Sequence, residues 1–228
     1  VHVSTLEPQA PDREKLIALF GRFEFKTWLR ELQATENQAT GVGHQASESL
    51  VEPQQAAAYE TVLTEAQLDR WLAAISAAEL VAVDTETTSL EPMQARLVGI
   101  SLSIAPHTGA YIPLAHRYAG APPQLSLDLV LARLKPWLEN PRHQKLGQNL
   151  KYDMHVLANH GIRLQGVAHD TLLQSYVLEA HKPHGMDSLA QRHLNYKAVS
   201  FEEVAGKGAK QIGFDQVDID TAAHYAAE

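Results

Sequence analysis

The sequence predicts an α/β fold, a mixed β-sheet flanked by helices, and three observations carry that prediction. Three apolar runs, "ELVAVDTE", "RLVGISLSI" and "GAYIPLA", follow one another with only turn-length segments rich in Pro, Gly and polar residues between them. That is the pattern of an antiparallel meander. Helical and strand-like segments alternate after it, the order that lays helices on a sheet. With 228 residues and 45% hydrophobic composition, the chain can build one sizeable core with a short appendage.

In chain order, residues 12–32 place Leu16, Leu19, Phe20, Phe23, Phe25, Trp28, Leu29 and Leu32 at helical spacing, which predicts one or two short helices. From residue 33 to about 58 the chain turns to Gln, Ala, Ser, Thr, Glu and Gly with scarcely any large apolar side chain. Such a segment cannot offset its ordering entropy by burial and is expected to be a flexible linker. The main domain is expected over residues 59–228. "LTEAQLDRWLAAI" offers Thr64 as N-cap and Leu68, Trp71, Leu72 and Ile75 as a helical stripe. After the meander come a helix around "LDLVLARLKPWLEN", a short strand "HQKLGQ", a helix "LKYDMHVLANH" stopped by Gly161, a strand "IRLQGVAH" and a helix "TLLQSYVLEA". A more irregular helical stretch completes the chain.

Composition narrows the chemistry. No stretch reads as a membrane span or a secretory leader, so a soluble intracellular protein is expected. The absence of cysteine removes disulfides and thiolate zinc sites, leaving oxygen and imidazole as metal donors. A formal charge of −8 argues against gripping nucleic acid with the whole surface, which needs clustered Lys and Arg. A local site remains compatible with it. The twelve histidines, His155, His160, His169 and His193 among them, show no recognisable metal spacing.

"VAVDTETTSL" is the stretch that points to a site. Asp84 and Glu86 stand two apart in an extended run, so both carboxylates project from one side at the end of a buried strand. Two like charges leaving a core need hydrogen bonds, a proton or a cation to compensate them. In the later helix, Leu150, Asp153, Val156, Leu157 and His160 share one side, so Asp153 also faces inward. Asn149 as N-cap puts Asp153 in the first turn, where the helix dipole favours an anion and simple helix stabilisation is the competing explanation. Three acids from two elements suggest an oxygen-ligand site for a hard cation such as magnesium or manganese.

With these residues in order, the chain resembles the 3′–5′ proofreading exonuclease domain of bacterial DNA polymerase I. The segments that carry the resemblance are "VAVDTETTSL", "KLGQNLKYD" and "MDSLAQRHL…FEEVAGKGAKQIGF…AAHYAAE". The implied fold is a ribonuclease-H-like mixed β-sheet flanked by helices. Residues 1–32 resemble the helical tail of the preceding 5′ nuclease domain in the same enzymes. The resemblance implies that Asp84, Glu86 and Asp153 hold two Mg2+ or Mn2+ ions in the intact domain, with Zn2+ an alternative at one site, and that the hydroxyl of Tyr225 orients the attacking water. It implies Leu90 as a wedge between the last bases, Phe201 against a base, and Gln148, Asn149 and Tyr152 on the frayed strand. The implied partners are a single-stranded DNA 3′ end and a polymerase domain following in the chain, without a membrane, in a bacterial cytoplasm at the nucleoid.

Two departures stand out. The family's fourth carboxylate falls four residues after the Tyr, at position 229, whereas the sequence ends at Glu228. A displacement of one residue turns a side chain roughly 100° around a helix, so Glu228 is not expected to substitute, and weak or no activity is expected of this segment alone. The family often has an arginine shortly before the His of "HKPHGMDSL", where this sequence has Lys182 and Pro183. Against the exonuclease reading stand a catalytically silent module that supports an adjoining polymerase domain, and a related ribonuclease.

Overall fold

The computed structural model describes residues 12–22 and 57–228. The expected linker up to residue 56 lies outside the described residues, as do Phe23, Phe25, Trp28, Leu29 and Leu32. Helix α1 (Arg13–Arg22) belongs to a unit of its own. Asp12 opens it, accepting from the Lys15 amide at 3.1 Å.

In the second unit, β1 (Ala58–Thr61), α2 (Glu65–Ala77), β2 (Leu80–Thr87), β3 (Leu97–Ala105) and β4 (Thr108–Pro113) are followed by α3 (Leu127–Leu138), β5 (Gln144–Gly147) and α4 (Leu150–Ala158). Next come β6 (Val167–Asp170), α5 (Thr171–Glu179), α6 (Met186–Leu189), α7 (Phe201–Ala205) and α8 (Ile219–Ala227). The sheet order is β1-β4-β3-β2-β5-β6. Strands β2, β3 and β4 form the antiparallel meander, while β5 pairs parallel with β2, β6 parallel with β5, and β1 parallel with β4. Only β1 was without a sequence signal, since four residues, "AYET", carry no alternation. The stretch "IRLQGVAH" is strand only in its last three residues; Ile162 and Leu164 are buried before β6 begins.

Alternation along β2 assigns the two faces. Val81 and Val83 join Ile100, Leu102 and Ile112 in a core closed by Leu68, Trp71 and Ile75 of α2, Val130 and Leu134 of α3, and Val156 and Leu157 of α4. Each fully buried aliphatic side chain there contributes about 1.5–3 kcal/mol. Asp84 and Glu86 point to the opposite face, where Tyr111 packs with Ala205, Phe214, Val217, Ala222 and Ala223 under α8. Thr64 caps α2 through a reciprocal pair with Gln67. Lys145 of β5 is fully buried beneath α3, its ammonium donating to the carbonyls of Trp137 at 2.8 Å and Asn140 at 2.9 Å, where the helix ends negative.

Candidate active site

Strand β2 runs past its parallel neighbour. The β2–β5 ladder ends at Ala82 and Leu146, after which the chain turns through Gln148 and Asn149 into α4. Asp153, buried one turn into that helix, takes up the place the ladder vacates. Its Oδ1 accepts the Thr85 amide at 3.0 Å and the Thr85 hydroxyl at 2.5 Å. Asp153 thus stands against the very residue that separates Asp84 from Glu86. Asn149 sits at the N-cap in left-handed conformation (φ 58°) without a side-chain cap bond. The α4 start is held instead by Asp170, whose carboxylate accepts from the amides of Asn149 at 3.2 Å and Leu150 at 2.9 Å while capping α5 at Leu173.

The electrostatics follow from this crowding. Burial raises the Asp84 carboxyl to about 6. Burial and the charge of Asp84 raise Asp153 to about 7. Glu86 is pushed well above the carboxylate range by burial and by the charges of both aspartates. Among the described residues none of the three takes part in an ion pair with Lys, Arg or His. Tyr225 of α8 faces the same group: its phenol is held neutral by burial and by the charges of Glu86 and Asp84. Its ring packs on Phe214 and Phe201, with centroids at 5.8 and 6.3 Å.

Comparison with known proteins decides the family. Residues 59–228 match the family model described as 3′–5′ exonuclease. The chain belongs to the 3′–5′ exonuclease family. Over its whole length it is 47% identical to DNA polymerase I of Pseudomonas aeruginosa, of which it covers 25%. It is 44% identical to DNA polymerase I of Rhizobium leguminosarum over 75% of the chain and 18% of the relative. The sequence thus spans a quarter or less of these polymerases' length. The crystal structure of Trypanosoma brucei RNase D shares the fold, with a TM-score of 0.57 and 14% identity over 74% of this chain and 59% of that one. The mixed sheet flanked by helices is therefore ribonuclease-H-like.

Around the exonuclease's acids, the expected DNA-side residues divide into free and committed ones. Leu90 projects from the turn after β2 with 96% of its surface exposed. Phe201 is 38% exposed and stacks on Phe214. Tyr152 is engaged: its hydroxyl bonds the Ser89 carbonyl and Thr87 Oγ1, bracing the turn that carries Leu90. Gln148 is engaged too, donating to the His184 carbonyl at 2.9 Å and accepting from Thr171. Asn149 is exposed. Glu228 is occupied by the Tyr196 hydroxyl and, at 2.7 Å, by the Val199 amide. Thr85 carried no distinguishing sequence signal, because it acts on a partner 68 positions away, whereas Asp170 stands as an N-cap candidate directly before α5 and only its bonds to Asn149 and Leu150, 21 and 20 positions away, leave no local trace.

Asp84, Glu86 and Asp153 suit a hard divalent cation by donor type and by the repulsion that a cation would relieve. They share a field without forming a closed cage. One Asp153 oxygen is committed to Thr85, and no group of three or more His, Asp or Glu side chains among the described residues is arranged to hold an ion by itself. No helix among the described residues is long and apolar enough to cross a membrane.

Proposed function

We propose that this domain removes 3′-terminal nucleotides from single-stranded or frayed DNA in a metal-dependent reaction, as the proofreading part of a DNA polymerase I whose polymerase domain follows in the chain, in a bacterial cytoplasm at the nucleoid. The single observation that carries this reading is the trio of buried carboxylates with raised pKa values, Asp84, Glu86 and Asp153, together with Tyr225, inside a fold of the exonuclease family.

Asp84, Glu86 and Asp153 would hold Mg2+ or Mn2+, two ions in the intact domain, with Zn2+ an alternative at one site. Such ions, when bound, lower the pKa of the attacking water and stabilise the departing 3′ oxygen. The protein's own groups do the rest. Thr85 fixes the Asp153 carboxylate by two hydrogen bonds, so its free oxygen keeps one direction. The neutral Tyr225 hydroxyl orients the water by hydrogen bonding, for which it needs no titration. Leu90, presented on the turn that Tyr152 braces, wedges between the last bases. Phe201 offers a ring face to a base, and Gln148, Asn149 and Tyr152 line the strand. Contacts of this type ignore base identity, as a proofreader requires.

The test is degradation of a 3′-labelled single strand by the full-length chain with magnesium, beside Asp84→Ala, with an RNA strand in parallel. Magnesium-dependent release of terminal nucleotides that Asp84→Ala abolishes supports the reading. Indifference to Asp84→Ala would leave a structural module supporting the polymerase, and preference for RNA would make the domain a ribonuclease.

A further inference from the structure

Resting on the functional reading above, we propose that Tyr111 and His116 are positioning residues that tie the Glu86 end of the site to the helix carrying Tyr225. Glu86 pairs across the sheet with Gly99. A side chain at position 99 would collide with the Tyr111 ring and hydroxyl, so the phenol occupies the space that glycine leaves, beside Glu86 on the same face. Cβ atoms of directly paired residues lie about 4.5–5.5 Å apart, which sets the scale of that proximity. Tyr111 also responds to Glu86: burial, then the charge of Glu86, raises its phenol well above the ordinary value.

From Tyr111 the connection continues through named atoms. The Tyr111 hydroxyl and His116 Nε2 are 2.7 Å apart, and His116 Nδ1 lies 2.9 Å from the Val217 carbonyl oxygen. A carbonyl only accepts, so Nδ1 carries the hydrogen and Nε2 of the neutral ring accepts from Tyr111. Burial lowers the His116 pKa, consistent with that neutral form. The Gln124 side chain brackets the His116 backbone, accepting from its amide at 2.9 Å and donating to its carbonyl at 2.8 Å. Val217 precedes Asp218, the N-cap of α8, and eight residues later that helix presents Tyr225. Neighbouring contacts hold the same junction: the Arg117 amide donates to the Asp215 carbonyl at 2.8 Å, Arg117 pairs with the Asp215 carboxylate, and the Ile219 amide donates to the Tyr118 hydroxyl at 3.2 Å. Only the His116 branch reaches through Tyr111 to the carboxylate row. Both rings are almost wholly buried and neither can touch DNA, so they act through Glu86 and Tyr225.

The experiment uses the full-length chain, 3′-labelled single-stranded DNA and magnesium, below the melting temperature of every variant. Tyr111→Phe removes only the hydroxyl; His116→Asn retains a donor toward Val217 while losing the reach to Tyr111. Each is expected to lower kcat by about 10–100-fold, the range for groups that orient active-site ligands, with KM little changed. The double variant is expected to lose no more than either single, because both break one link. A purely structural pair would instead lower the melting temperature and leave kcat intact. Tyr111→Phe within about twofold of the parent in kcat, or additive losses in the double variant, would overturn the inference. A parent chain that releases no nucleotide would overturn the functional reading and this one with it; an active parent with unaffected variants would overturn this one alone.

Discussion

Asp153 Oδ1 and Thr85 meet twice, through the amide at 3.0 Å and the hydroxyl at 2.5 Å, across 68 positions of sequence. The contact places a helix-borne acid at the strand that carries the other two. It also satisfies an amide that β5 no longer reaches. Thr85→Val keeps the shape and removes the hydroxyl. A hydrogen bond to a charged buried group is worth about 1.5–3 kcal/mol, and denaturant unfolding above about pH 8, where Asp153 with its value of about 7 is ionised, should show a loss of that size. Thr85→Ser should recover most of it. A valine variant as stable as the parent would mean the Asp153 carboxylate is fixed by other groups.

Asp84→Asn separates function from stability. Burial raises all three carboxyls, and the charge of Asp84 raises Asp153 and Glu86 further, so the site is under electrostatic strain without a cation. The amide removes one charge from a half-buried position while keeping its size. Exonuclease turnover should fall by more than about 100-fold, beyond what orienting groups contribute. The metal-free domain should become more stable by about 0.5–2 kcal/mol, the common gain when functional strain is removed. Calorimetry in EDTA beside a strand-degradation assay reads both, and a lowered melting temperature would contradict the strain argument.

The same shifts fix the pH dependence. The folded-state values of about 6 for Asp84 and about 7 for Asp153 lie above their ordinary value of 3.8. The folded state therefore holds more protons than the unfolded state between those limits, and stability falls as pH rises through that window. This is the reverse of the usual carboxylate case. Without divalent ions the melting temperature should decline from about pH 4 toward about pH 8, and added magnesium or manganese should flatten the decline at its upper end. A metal-free melting temperature that rises over this range would show that the folded domain holds these carboxyls ionised.

Leu90 tests the strand-facing surface. An almost fully exposed leucine contributes nothing to the core, so Leu90→Ala should change stability by less than about 0.5 kcal/mol. Removal of terminal nucleotides from frayed duplex ends should slow several-fold, more than removal from a single strand, because the wedge matters only where bases must separate. Equal effects on both substrates would remove Leu90 from that role.

Much of this was legible in the sequence because it follows from period. Alternation put Asp84 and Glu86 on one side of β2, and helical spacing put Asp153 among Leu150, Val156 and Leu157, all of them buried. The meander was legible from three apolar runs joined by short turns. What could not be read are relations between distant positions with no periodic trace. Strand β1 is four residues long and finds its partner in β4 fifty positions on. Lys145 of the short strand β5 is wholly buried, because the end of α3 supplies its acceptors. Asn149 reads as a side-chain cap, yet its left-handed backbone and an aspartate 21 positions away do that work.

That aspartate provides the last test. Asp170 accepts the amides of Asn149 and Leu150 at the start of α4 and of Leu173 at the start of α5, so one side chain closes two helix N-termini. Loss of one cap costs about 1 kcal/mol, and Asp170→Ala should cost about 2 kcal/mol or more in denaturant unfolding. The consequence for the site is specific. Asp153 lies three residues past Leu150, so fraying of this turn loosens the Thr85 contact, whereas Asp84 and Glu86 remain held in β2 by the β3 ladder. Hydrogen exchange should therefore accelerate at the amides of Leu150 and Thr85 and stay slow at those of Val81 and Val83. Exonuclease kcat should drop alongside. Uniform acceleration across β2 would show that Asp170 stabilises the domain globally and has no particular hold on Asp153.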